Sequence, residues 1–150
     1  ESRKIVEHTM KSLPEQKPKH MLGIGSVDDI FNYVELGLDT FDCVRPTRLA
    51  RVGYIFIYPE SGGNAKNKFR YRIANAKFKE DKSPLDKNCQ CYVCKNFSRA
   101  YVRHLYKADE LLFYTLTTYH NLYFFKKLME EIRGAIEKGK FKALKRKWLG

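Results

Sequence analysis

Cys89-Gln90-Cys91-Tyr92-Val93-Cys94 is the stretch on which the reading of this chain turns. Three of the four cysteines fall within six residues, as C-x-C-x2-C. Thiolates this close repel one another, and a divalent cation removes the repulsion. Zinc prefers four nitrogen or sulfur ligands in a tetrahedron. A lone C-x-x-C would also suit a redox dithiol. Three cysteines with a histidine make the ligand count of a closed structural site. His120 lies within loop-closing reach and is the expected fourth ligand. His104 is a rival, ranked lower because it falls well along a helix leading away from the cysteines. A closed site has no open position for substrate, so the metal is expected to fold this region and not to catalyse.

Around that cluster the chain has 150 residues, 43% of them hydrophobic, enough for one domain with a core or for part of a larger one. No apolar run approaches a membrane span, and no signal-peptide pattern opens the sequence. Metal-ligand cysteines without a disulfide framework fit a reducing cytoplasm. The net charge of +12 is spread along the whole length. It fits a solvated basic surface or, as the favoured reading, a nucleic-acid partner.

Upstream, Ile5, Val6, Met10 and Leu13 give residues 1–13 helical spacing, with Ser2 able to cap. Residues 20–25 read as a short strand ending in glycines. Ser26 is a helix cap followed by Asp28 and Asp29, and Ile30, Phe31, Val34 and Leu38 form the apolar face. Residues 38–44 read as another strand. This alternation predicts βα units in a parallel sheet. Asp42 closes that strand, where α/β enzymes place their chemistry. Arg45, Arg48 and Arg51 follow in what reads as a loop, and arginine is the natural phosphate reader. The plainer reading of Asp42 is a loop carboxylate paired with Arg48 or Arg51. Cys43 reads as a small buried residue.

Residues 53–58 and 69–74 are β-rich and are expected to pair as a hairpin across the polar loop 59–68. Residues 75–88 are basic and turn-rich. Downstream, residues 96–107 look helical and 110–119 form a second, apolar helix. His120-Asn121 opens a third, striped by Leu122, Phe125, Leu128, Met129, Ile132 and Ile136 and ended by Gly139. The terminal residues 140–150 read as a basic amphipathic helix, either solvated or tracking RNA phosphates.

The runs FDCVRPTRLARVG, NAKFKEDKSPLDKNCQCYVC and NFSRAYVRHL, and then HN before a long helix, resemble the bacterial-type tRNA-guanine transglycosylases (queuine tRNA-ribosyltransferases). The resemblance covers nearly the whole chain. It implies an α/β fold, the C-terminal portion of a (β/α)8 TIM barrel with a zinc-binding subdomain. It implies that 1–53 hold the last βα units with the nucleophile loop, 54–120 the zinc subdomain, and 121–150 the closing helix and the basic C-terminal helix. The implied activity replaces the wobble guanine of a tRNA anticodon with a 7-deazaguanine precursor of queuosine, through a covalent Asp-ribose intermediate. The family nucleophile falls on Asp42, the base pocket on Glu1, Leu22 and Gly23, and tRNA contacts on Arg48 and Arg51. The zinc ligands fall on Cys89, Cys91, Cys94 and His120, one Zn2+ per chain. The family's acid/base aspartate would lie upstream, so the chain alone is expected to be inactive and to self-associate. The full protein is expected to be a cytoplasmic homodimer. Three features depart from the family pattern: Leu22 stands for the usual Met, Arg45 for an apolar residue, and the loop 59–68 is long. The competing readings are a non-catalytic zinc-stabilised RNA-binding module and a redox protein using Cys91 and Cys94.

Overall fold

The computed structural model describes residues 2–150; Glu1 and the side chain of Ser2 lie outside it. The chain forms two compact units, one ending at Arg45 and the other spanning Pro46–Gly150.

The first unit opens with helix α1 (Ser2–Met10) and then holds strand β1 (His20–Leu22), helix α2 (Val27–Glu35) and strand β2 (Thr40–Asp42). The two strands pair in parallel, with His20 opposite Thr40, Met21 opposite Phe41 and Leu22 opposite Asp42. Parallel neighbours need a crossover, and α2 supplies it. Ser26 caps α2 as its sequence suggested: its Oγ accepts from the Asp29 amide at 3.2 Å. Val27, Ile30, Phe31 and Tyr33 are the buried face of the crossover helix. Gly25 allows the chain after β1 to lie against the chain after β2. A Cβ there would meet the Cys43 Cβ at 2.5 Å, closer than side-chain carbons approach.

From Arg45 the chain enters helix α3 (Arg45–Arg51). This corrects the reading of the arginine-rich segment as a loop. Pro46 stands at its second position, where a proline costs a helix no hydrogen bond it would otherwise make. Strands β3 (Tyr54–Phe56) and β4 (Arg70–Arg72) then form the expected antiparallel hairpin, with Ile55 opposite Tyr71. Helices α4 (Tyr92–Asn96), α5 (Arg99–Lys107), α6 (Leu111–Glu137) and α7 (Phe141–Leu149) complete the second unit.

The sequence suggested two helices meeting at His120, whereas α6 is one helix of 27 residues. Its buried side chains are Phe113, Leu116, Thr117, His120, Asn121, Phe124, Leu128 and Ile132. Steps of three and four residues make this a single continuous stripe. The polar pair at its middle looked like an interruption but lies on the buried face. Phe124 anchors the core below it, with ring centroids 5.3 Å from Phe56, 5.0 Å from Tyr58 and 5.9 Å from Trp148. Trp148 also faces Phe69 at 5.4 Å, which ties α7 to the end of the long hairpin loop. No helix among the described residues is long and apolar enough to cross a membrane.

Candidate metal centre and strand-end site

Cys89 and Cys91 lie in the loop before α4, Cys94 lies inside it, and His120 projects from the middle of α6. The Cys91 side chain caps α4, accepting from the Cys94 amide at 3.4 Å. All four side chains are buried, and their ligand atoms lie within 4.8 Å of one another. The three sulfurs stand 3.8, 3.4 and 3.3 Å from His120 Nδ1. Tetrahedral zinc with ordinary Zn–S and Zn–N bonds would separate S and N by about 3.6 Å. The cluster therefore has the size of a zinc site.

The imidazole is also oriented for this role. His120 Nε2 donates to the Phe56 carbonyl at 2.8 Å. With the proton on Nε2, the Nδ1 lone pair faces the sulfurs, as a metal-bound histidine requires. A proton is the rival of a metal ion for Nδ1. Burial pushes the His120 pKa down, but hydrogen bonds to Cys89 and Cys91 outweigh it and hold the pKa at about 10. Hydrogen bonds from Cys89 and Cys94 hold the Cys91 thiol well below its ordinary range, and hydrogen bonds to Cys89 and Cys91 hold the Cys94 thiol well above it. A pocket that favours positive charge beside a thiolate is one that a cation satisfies. Cys89, Cys91, Cys94 and His120 thus make one closed zinc site per chain. His104, the rival ligand, is exposed on α5 and takes no part in it.

Sequence reading missed the residues that brace this centre. Asn121 is fully buried. Its Oδ1 accepts from the Phe56 amide at 3.1 Å, and its Nδ2 donates to the Tyr54 and Pro46 carbonyls at 3.0 and 3.1 Å. His120 and Asn121 thus engage both backbone groups of Phe56 and fix α6 against the edge of β3. Asn121→Ala would strand three backbone groups, two of them buried. At ~1 kcal/mol for each lost bond it should cost about 3 kcal/mol, read as a lower urea midpoint at unchanged slope. Asp86, also fully buried, accepts from the Tyr58 amide at 2.7 Å, the Asn88 amide at 2.8 Å and the Ser61 hydroxyl. It pins the loop before the cysteines to the end of β3. Arg99 binds Asp81 and the Leu85 carbonyl at 3.1 and 3.3 Å and lies over the rings of Tyr71 and Phe78. Nothing in the spacing of these residues marks them, because their partners are far away in sequence.

The second candidate site is at the end of the parallel pair in the first unit. Leu22 and Asp42 are register partners at the last positions of β1 and β2. The Gly23 amide donates to Asp42 Oδ1 at 3.1 Å. Gly23 has φ +72°, a left-handed conformation that favours glycine. Asp42 is exposed, and so is Leu22, at 74%. An exposed carboxylate held at one oxygen by a backbone N–H can act as a base, a nucleophile or a cation ligand. The structure therefore brings together three of the expected site residues, Leu22, Gly23 and Asp42. Arg48 and Arg51 are exposed on the last turn of α3, one turn apart. Glu1 lies outside the described residues.

The sequence profile of the queuine tRNA-ribosyltransferases matches residues 1–150. A provisionally named queuine tRNA-ribosyltransferase of Archaeoglobus fulgidus is 55% identical over 146 residues, covering 97% of this chain and 36% of its own. The queuine tRNA-ribosyltransferases of Fusobacterium nucleatum and Aquifex aeolicus are 47% and 48% identical, each over 97% of this chain and 37% and 36% of theirs. The chain thus spans just over a third of the length of these curated relatives. Matched along its full length by that profile and over 97% of it by these relatives, the chain belongs to the queuine tRNA-ribosyltransferase family.

Proposed function

We propose that this chain is the C-terminal part of a tRNA base-exchange transferase, a pentosyltransferase that replaces the wobble guanine of the anticodon with a 7-deazaguanine. The observation that carries the proposal is the exposed Asp42 carboxylate, held at the end of β2 by the Gly23 amide. Breaking an N-glycosidic bond leaves positive charge on the ribose, and a carboxylate can trap that carbon covalently. A second displacement by the incoming base restores the original configuration, as in retaining glycosidases. The target base must first leave its stack. In this reading Leu22, Gly23 and Glu1 line the base pocket, and Arg48 and Arg51 hold phosphates beside the anticodon.

The remaining parts follow the same reading. Residues 1–53 supply the last βα units of a (β/α)8 barrel, 54–120 build the zinc subdomain, and 121–150 add the closing and basic helices. In the family pattern the acid/base aspartate falls outside the portion matched here, so the exchange reaction is assigned to the whole protein. The whole protein works in the cytoplasm as a homodimer. Exposed rings of Tyr92, Tyr101 and Tyr119 on the zinc-bearing unit suit such an interface.

The test is transfer of labelled guanine into unmodified tRNA by the whole protein, with zinc bound. Incorporation at the wobble position is the expected result. A folded, zinc-loaded protein that binds tRNA without incorporating guanine would instead be an RNA-binding module.

A further inference from the structure

Helix α7 carries four basic residues among nine and no acidic one. Its placement is fixed by Trp148, which is 3% exposed and packed against Tyr58, Phe69 and Phe124. With that side inward, the two flanks of the helix differ. At ~100° per residue, Ala143, Leu144 and Lys147 fall on one flank. They line a groove of about 710 Å³ against α6, whose other walls include Glu130 and Glu131. Lys147 is neutralised there by Glu60 at 2.6 Å. Lys142, Lys145 and Arg146 occupy the other flank, within an arc of roughly 100°.

The spacing of like charges on that flank works against the helix. Lys142 with Lys145, and Lys142 with Arg146, are like-charged neighbours at three- and four-residue spacing, which destabilises a helix by a few tenths of a kcal/mol per pair. Arg146 and Lys147 suit the negative end of the helix dipole, but Lys140 and Lys142 oppose its positive end. The start of α7 has no side-chain cap. On α6, by contrast, Lys126 and Lys127 are paired with Glu130. Lys126 and Lys127 thus have a carboxylate on their own helix, and α7 carries none.

We propose that Lys142, Lys145 and Arg146 form a phosphate-backbone contact for tRNA, additional to Arg48 and Arg51. This rests on the base-exchange reading only for the identity of the RNA. Three cations along little more than one turn of a helix match the closely spaced charges of a nucleic-acid strand, and binding there releases counterions. The contact positions the substrate and takes no part in the chemistry.

The test uses the whole zinc-loaded protein with Lys142, Lys145 and Arg146 all changed to Gln. Binding to unmodified tRNA is measured across salt concentrations, and guanine exchange is measured separately. The slope of log K against log salt should become shallower by about 2 to 3. KM for tRNA should rise about tenfold or more with kcat retained. The charge-keeping set Lys142→Arg, Lys145→Arg and Arg146→Lys should preserve the slope, which rules out damage to the helix. A control set, Lys4→Gln, Lys11→Gln and Lys17→Gln, removes the same net charge from exposed positions elsewhere. An unchanged slope in the α7 variant, or an equal change in the control, overturns the proposal. So does loss of binding to anionic lipid vesicles with tRNA binding intact. If the wild type binds tRNA but exchanges no guanine, the enzymatic reading fails while the slopes still decide the α7 contact.

Discussion

Cys91→Ser should abolish zinc binding and the cooperative unfolding of the Pro46–Gly150 unit together. Zinc content should fall from one ion per chain to near zero. The unit's thermal transition should broaden or vanish, which calorimetry beside metal analysis will show. The size of the effect follows from where the ligands come from. Cys89, Cys91 and Cys94 sit on a loop and the short helix α4, and His120 on α6, so the metal is the bond between them. Structural zinc contributes on the order of 10 kcal/mol to folding in small zinc domains, comparable with the whole stability of an ordinary domain. Serine keeps the shape but offers no thiolate, and it leaves the other sulfurs and the imidazole buried without a cation. Cys91 is the most telling choice because its sulfur also caps α4. His104→Ala, removing the exposed histidine on α5, should leave zinc content unchanged. Retention of a full zinc ion by the Cys91 variant would mean that the ligand set is wrong.

The metal centre was legible in the sequence because three of its ligands are close together and chemically distinctive. The fourth was found by ligand count, and its rival His104 fell on the exposed face of α5. The parallel pair was legible from the strand–helix–strand rhythm over residues 20–44 and from the Ser26 cap. What was not legible depends on distant partners. Asp86 and Asn121 look like ordinary polar residues until the fold places backbone amides and carbonyls beside them. The same cause produced the error at α6. His120 and Asn121 interrupt an apolar pattern, so the chain seemed to break there. They lie on the buried stripe because zinc and the edge of β3 satisfy their polar atoms. The arginine segment failed for a local reason, Pro46 being tolerated in a first turn. In both cases the outcome was set by a partner or a position that composition does not record.

Asp42→Asn in the whole protein should eliminate guanine exchange, by a factor of ~10³ or more, while tRNA binding and zinc content stay at wild-type levels. Asparagine is nearly isosteric, and its side-chain oxygen can still accept from the Gly23 amide, so the end of β2 should keep its shape. What is lost is the negative charge that would meet the ribose carbon and the electron pair that would form the covalent bond. A group that acts only in the transition state lowers kcat and kcat/KM alike, and a group that merely binds substrate raises KM. The expected signature is therefore a collapse of kcat with KM for tRNA little changed. A denaturing gel should show a protein–RNA adduct in the wild type and none in the variant. Asp42→Glu refines the argument. It keeps the charge but moves the carboxylate by one methylene away from the anchor of the Gly23 amide. Displacement of about 1 Å at a reacting centre costs on the order of 10²-fold, so partial activity is expected. If exchange and adduct both survive in the asparagine variant, the nucleophile lies elsewhere and Asp42 is a structural cap on β1.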